Sequence, residues 1–327
     1  MAMQINPALA RLWISNNTRQ YGYRAPTKLE NIQEDQLRVL DYLELGLTTS
    51  QLENLEEIAK VSPSRSQEVI NRLTPVLWQS RQTLSAEDVE ERFAEISRIF
   101  LQGGDPAKTL RQRLSQKIYV EKLDATGFTI CKAFDLAGIG KLISLDQKRI
   151  QLPDVGPLSF AKAQLGIPRV KAAQFLLGKK LEFHSRMSKS LDELSAAVLI
   201  ANDVVHPSSY QRWLSRDVPH IAICFDEEGV EVSPLIIPGR TPCIGCQELF
   251  QLETVENWPI IAPQLLALDR DLADSPMILF ASAIAVNNIL NFLDFGEVSA
   301  EAYRLRRSGE VSTLIPRNIS CGCRLAQ

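Results

Sequence analysis

Apolar residues change their spacing along this chain near residue 117. Before that point they recur at helical intervals within short, polar-rich segments. Leu37, Leu40, Leu43 and Leu45 predict a helix over Glu34–Leu45. A turn at Gly46–Thr49 ends it, and Ser50 is placed to cap a second helix, Gln51–Ala59. Ser62–Arg65 (SPSR) forms a further turn. A helix then restarts at Ser66, with Val69, Leu73 and Leu77 on one face. Short helices in this order, with room for a wing, predict a small winged-helix-like domain over residues 1–80.

The next stretch, residues 81–116, reads as a polar helical linker. It opens at Ser85 with a Ser-x-x-Asp capping box and breaks at Gly103-Gly104-Asp105-Pro106. From Lys117 apolar runs alternate with helix-length segments. Strands are predicted at Lys117–Lys122, Lys141–Leu145, Ala197–Ala201, His220–Phe225 and Val230–Ile236, with a helix at Phe128–Ala137. That alternation predicts a Rossmann-like α/β domain over residues 117–327, built on a parallel or mixed sheet. Met277–Leu293 is a long apolar helix suited to covering one face or to a subunit interface.

Composition narrows the options. The chain has 327 residues, enough for two domains, and is 45% hydrophobic and 23% charged, as soluble globular proteins are. A net charge of −3 gives no general attraction to nucleic acid or to an anionic membrane. The stretch Glu30–Ser80 holds nine acidic residues against four basic ones, which argues against duplex DNA as the partner of a winged helix. A transcription regulator is therefore disfavoured, and a peptide- or protein-binding module expected. The start, MAMQINPALARLW, lacks a signal-peptide pattern, and the apolar run Met277–Val286 is far shorter than the roughly 20 residues that span a bilayer. A cytoplasmic location follows as the expectation.

In a reducing compartment clustered thiols serve more often as metal ligands than as disulfides. Cys131 and Cys224 stand alone in apolar surroundings and read as small buried hydrophobes. Cys243 and Cys246 form a C-x-x-C knuckle, and Cys321 and Cys323 a C-x-C near the C-terminus. Four thiolates satisfy Zn²⁺ tetrahedrally and leave no position for water, so the predicted site is structural. The competing reading is a redox C-x-x-C. Against it, Cys243 follows the loop IPGRTP rather than a strand-to-helix turn, and the second pair would lack a purpose.

Three further segments resemble the ThiF/MoeB-type adenylating fold shared with ubiquitin-activating enzymes. They are AGIGKLISLD (137–146), GIPRVKAA (166–173) and IANDVV (200–205), and the cysteine pairs match that family's zinc site. The resemblance implies Asp146 for ribose, Lys171 for phosphate and Asp203 for magnesium. Taken singly, the three also read as a loop cap, a solvated helix residue and a strand-end turn former.

The family's glycine-rich loop falls on Lys122-Leu123-Asp124-Ala125-Thr126-Gly127, where only Gly127 remains. Those glycines let the backbone approach phosphate. Asp124 would instead set a carboxylate beside it, with a repulsion of about 4 kcal/mol per unit charge at ~4 Å and an effective dielectric of ~20. The family's N-x-x-R segment is absent from QKRIQLPDVGPLSF (147–160). A degenerate pseudo-adenylyltransferase is expected, with ATP and Mg²⁺ disfavoured.

The N-terminal stretch NPALARLWISNNTRQYGY and the domain order resemble the cyclodehydratase partner proteins of thiazole/oxazole-modified peptide (bacteriocin-type) biosynthesis. That resemblance implies a peptide clamp that recognises a leader peptide and delivers it to an ATP-using, YcaO-type partner. It also implies a homodimer. Arg19–Arg24 (RQYGYR) is either the sheet edge that receives the peptide or an ordinary hairpin. The alternative function is an active adenylyltransferase acting on a C-terminal carboxylate.

Overall fold

The computed structural model describes residues 2–80, 91–186, 193–315 and 321–323, and the chain divides into two units, Met1–Gln112 and Arg113–Gln327.

The first unit opens with β1 (Ala2–Ile5), then a meander of β2 (Arg11–Ser15), β3 (Thr18–Tyr21) and β4 (Thr27–Leu29) paired antiparallel in that order. β3 is thus the central strand, with Gln20 and Tyr21 buried. Arg19–Tyr21 are paired on both sides, so of the two readings of RQYGYR the sheet edge is excluded for these residues, and among the described residues β2 and β4 are the edges of this sheet. Four helices follow: α1 (Glu34–Leu45), α2 (Thr49–Glu53), α3 (Leu55–Ala59) and α4 (Pro63–Leu73). The helix expected over Gln51–Ala59 is split at Asn54, and its cap is Thr48, whose Oγ1 accepts from the Gln51 N–H at 3.3 Å. β5 (Leu77–Ser80) returns to pair antiparallel with β1. Ile5, Tyr21, Leu29, Val39, Leu43, Leu55, Val69 and Leu73 close the core.

The Ser85 capping box lies outside the described residues. Beyond it, α5 (Phe93–Leu101) buries Ile96, Ile99 and Phe100 against Leu110 of α6 (Pro106–Ser115), with Ala8 and Trp78 packed on them. The helices expected as a spacer therefore bury apolar faces against the first unit.

The second unit alternates as its sequence pattern predicts. β6 (Lys117–Val120), α7 (Ala125–Leu136), β7 (Lys141–Ser144), α8 (Arg169–Leu177) and β8 (Leu181–Phe183) run in succession. Next come β9 (Ala196–Asn202), α9 (Pro207–Leu214), β10 (His220–Phe225) and β11 (Gly229–Val232). α10 (Ile244–Thr254), α11 (Trp258–Ala267), α12 (Ser275–Phe295), β12 (Ala302–Arg306) and β13 (Val311–Leu314) complete it. The strands form one sheet in the order β13–β12–β11–β10–β9–β6–β7–β8, in which β10 through β8 are parallel and β11, β12 and β13 antiparallel. The sheet is mixed. β9, flanked on both sides, buries every residue from Ala196 to Ala201, which is why it reads as one apolar run without alternation.

Chain order runs outward from β6 through β7 to β8, then jumps back to β9 on the other side of β6. Such a reversal opens a crevice at the carboxyl ends of β6 and β9, where ligands of doubly wound sheets bind. α12, capped by Asp274, carries Met277, Ile278, Ala281, Ala285 and Ile289 into the core against α7. At 21 residues it is longer than the apolar run that marked it. Its length and composition would allow a membrane crossing, yet half of its most apolar stretch is buried within this unit. Such burial is that of a core helix.

Candidate functional site

The crevice holds a cavity of about 250 Å³ lined by Lys122, Asp124, Ala125 and Thr126 after β6, and by Ile200 and Asn202 at the end of β9. Lys148, Asp154, Arg169 and the segment Asp269–Asp271 complete its polar wall.

Asp124 is the N-cap of α7, and its Oδ1 accepts from the Gly127 N–H at 3.0 Å. Burial pushes its carboxyl above the usual carboxylate range, against the pull of that hydrogen bond and of Lys122. A carboxylate therefore stands at the helix N-terminus, the place where a phosphate would be received. Gly127 does not line the cavity. A Cβ there would sit 1.7 Å from the Lys122 carbonyl oxygen, so this glycine serves the close packing of α7 on the preceding loop.

Asp146, the ribose candidate, is buried and already engaged. Its Oδ2 accepts from the Leu123 N–H at 2.7 Å and its Oδ1 from the Lys148 N–H at 2.8 Å. Arg169 Nη1 reaches Oδ2 at 3.3 Å while its Nε and Nη2 grip Asp154 at 2.9 and 2.8 Å. Lys171, the phosphate candidate, is exposed on α8 and lines no described cavity. Its segment delivers Arg169 instead, two residues earlier on the helix face turned inward.

Asp203 follows β9 with φ +61°, a left-handed conformation that Asp adopts more readily than most residues. Its side chain is 6% exposed and is held by Arg270, Nε to Oδ2 at 3.2 Å and Nη2 to Oδ1 at 2.5 Å. Arg270 Nη1 also binds Glu227 Oε1 at 2.7 Å. A second cavity of about 210 Å³ adjoins the first. Val204, Val205, His206, Leu265 and Leu266 line it, and it shares Lys122, Asn202 and Arg270 with the first.

Asp154, Arg169 and Arg270 were not among the residues singled out in the sequence. Arg169 lies within GIPRVKAA, and Asp154 within QKRIQLPDVGPLSF, the stretch without an N-x-x-R. Arg270 sits in a charged triplet, Asp269-Arg270-Asp271, that follows an apolar helix. That abrupt change was the available signal.

The cysteines gather on the side of the sheet away from α12. Cys243 caps α10, and the four Sγ atoms lie within 4.8 Å of one another, with Cys321 3.4 Å from Cys243 and 3.2 Å from Cys246, and Cys246 3.7 Å from Cys323. Four sulfurs at these separations fit a tetrahedral ion with bonds near 2.3 Å, and the donor set can bind a metal. Burial raises the Cys321 thiol, but hydrogen bonds from Cys323 and Cys246 bring it down to about 7. Cys131 and Cys224 lie apart from this cluster, and burial pushes both thiols up.

No protein-family model matches this sequence, and no curated protein sequence matches it. Solved structures do. Escherichia coli MccB with ATP aligns at a TM-score of 0.71 and 12% identity over 99% of each chain. MccB with AMPCPP and MccA aligns at 0.73 and 12%, again over 99% of each. PaaA aligns at 0.61 and 13%, over 83% of this chain and 97% of that one. The chain has the ThiF-type fold of MccB along its whole length.

Proposed function

We propose that this chain is a non-catalytic ThiF-type scaffold that binds a precursor or leader peptide and presents it to an ATP-using partner enzyme. The observation that carries the reading is the Asp124 carboxylate at the head of α7, in the crevice where this fold receives phosphates. Adenylation depends almost wholly on positioning phosphates and neutralising their charge. An acidic side chain in that place, and a loop without its glycines, oppose both.

Support for the peptide comes from the first unit, read as a winged-helix-like clamp. β2 is an edge strand whose Leu12, Trp13 and Ile14 are 38%, 51% and 55% exposed. Three consecutive apolar side chains on an edge left unpaired among the described residues suit the addition of an extended peptide. MccB has been solved with MccA and with N-formylated MccA, which favours a peptide as the ligand class here. The reading further includes a YcaO-type partner, a homodimer, a cytoplasmic location and zinc as the structural metal.

Isothermal titration with ATP and Mg²⁺ tests it. No heat of binding is expected, and micromolar affinity would overturn the reading. A second reading, an active adenylyltransferase for a C-terminal carboxylate, is favoured by Lys122, Lys148 and Arg169 around the cavity. It requires Mg²⁺-dependent pyrophosphate exchange that disappears in Asp203→Ala.

A further inference from the structure

The fold family implies a divalent cation at Asp203, and the residues around that carboxylate do not fit one. Mg²⁺ and Mn²⁺ need a carboxylate oxygen free to approach to about 2.0–2.2 Å, with water or phosphate completing an octahedron. Both Asp203 oxygens are instead taken by one guanidinium, at 2.5 and 3.2 Å. The third nitrogen of that guanidinium holds Glu227 at 2.7 Å. Arg270 is fixed at its backbone too, since its carbonyl oxygen accepts a hydrogen bond from the Asn202 side chain.

We infer that Arg270 is an in-chain replacement for the divalent cation. Its charge compensates Asp203, a carboxylate 6% exposed, and Glu227 beside it. Its anchorage also straps the α11–α12 connection across the carboxyl ends of β9 and β10, along the boundary of both cavities. A guanidinium differs from a metal in the property that matters here. It only donates hydrogen bonds, has no exchangeable coordination position and stays charged at any physiological pH. A site closed this way keeps its acidic side chains and loses its dependence on metal.

Arg270 closes the carboxylate pair whether or not the chain serves as a scaffold. Nucleotide binding without metal would overturn the scaffold reading and leave this inference intact.

The test is an Mn²⁺ titration of the full chain, followed by the free-ion electron paramagnetic resonance signal and by thermal unfolding. Wild type is expected to leave the signal unchanged. Arg270→Ala uncovers the carboxylates, so it should bind one Mn²⁺ and gain about 5–10 °C in Tm at a hundredfold excess over its Kd. Adding Asp203→Asn to Arg270→Ala should abolish both effects. Should Arg270→Ala fail to fold, Arg270→Gln keeps a side chain over the carboxylates, drops the charge and takes the same titration. Mn²⁺ bound by wild type and lost in Asp203→Asn would overturn the inference. So would a folded Arg270→Ala or Arg270→Gln that binds none.

Discussion

Arg169 holds Asp154 through a two-pronged ion pair, Nε to Oδ2 at 2.9 Å and Nη2 to Oδ1 at 2.8 Å, and touches Asp146 with its remaining nitrogen. All three residues are buried. Two carboxylates thus depend on one cation, and its removal leaves buried charge without compensation. Arg169→Ala is expected to cost about 3–5 kcal/mol in urea unfolding. Arg169→Lys should recover only part of that, because an ammonium cannot make the fork. A loss below about 1 kcal/mol, the range of exposed pairs, would show that the triad is not the clamp of this crevice.

The cysteine cluster should hold one zinc per chain, measured by mass spectrometry of the purified protein. Cys246→Ser and Cys323→Ser each remove one of four sulfurs and should lower both metal content and Tm. Removal of the metal from wild type by a chelator should bring its Tm down toward that of the variants. A metal-free, equally stable protein would return the four thiols to the status of a chance cluster.

Much of this architecture was legible because it depends on local chemistry. β10 lies where its apolar run predicts, α1 matches its leucine spacing, and the four cysteines meet as their pairing implied. What escaped was set by distant parts of the chain. β12 and β13 are short and largely open to solvent, so their sequence carries little apolar signal, and only the pairing of β12 with β11 and of β13 with β12 makes them strands. Arg169 outranks Lys171 because α8 turns one toward the crevice and the other toward water. Arg270 reaches Asp203 across 67 positions of chain, a contact that no local pattern encodes.

Gly127 separates a structural glycine from a ligand-binding one. A Cβ would meet the Lys122 carbonyl oxygen at 1.7 Å, a backbone atom that cannot swing aside. Gly127→Ala should therefore destabilise the protein by about 1–3 kcal/mol through overpacking. Its response to ATP in titration should match wild type, with no heat in either. Unchanged stability alongside altered nucleotide binding would place this glycine at a phosphate after all.

Ile14 tests the exposed edge of β2. It is 55% exposed, so Ile14→Lys should change stability by no more than about 0.5 kcal/mol. The same variant should weaken binding of synthetic peptides that match short open reading frames beside the gene, measured by fluorescence anisotropy. Equal affinity in wild type and variant would move the peptide site elsewhere.

His220 gives the protein a titration whose sign can be worked out. The ring is fully buried, its Nδ1–H donates to the Val218 carbonyl at 2.9 Å, and its Nε2 has no partner among the described residues. Burial pushes its pKa down from 6.5 to about 4, since a proton on Nε2 would bring an uncompensated charge into the core. The unfolded chain therefore binds more protons between those two values, and stability must fall as pH drops through that window. Above pH 6.5 the ring is neutral in both states and contributes no slope. The full loss is about 3 kcal/mol. Carboxylates held by arginines also lose stability toward acid, so the informative quantity is the difference between wild type and His220→Phe. That variant should carry a constant cost for the orphaned Val218 carbonyl and lack the His220 share of the slope. Urea unfolding at pH 7.5, 6, 5 and 4.5 checks it. Parallel curves for the two proteins would mean that His220 takes up its proton in the folded state as readily as in the unfolded one.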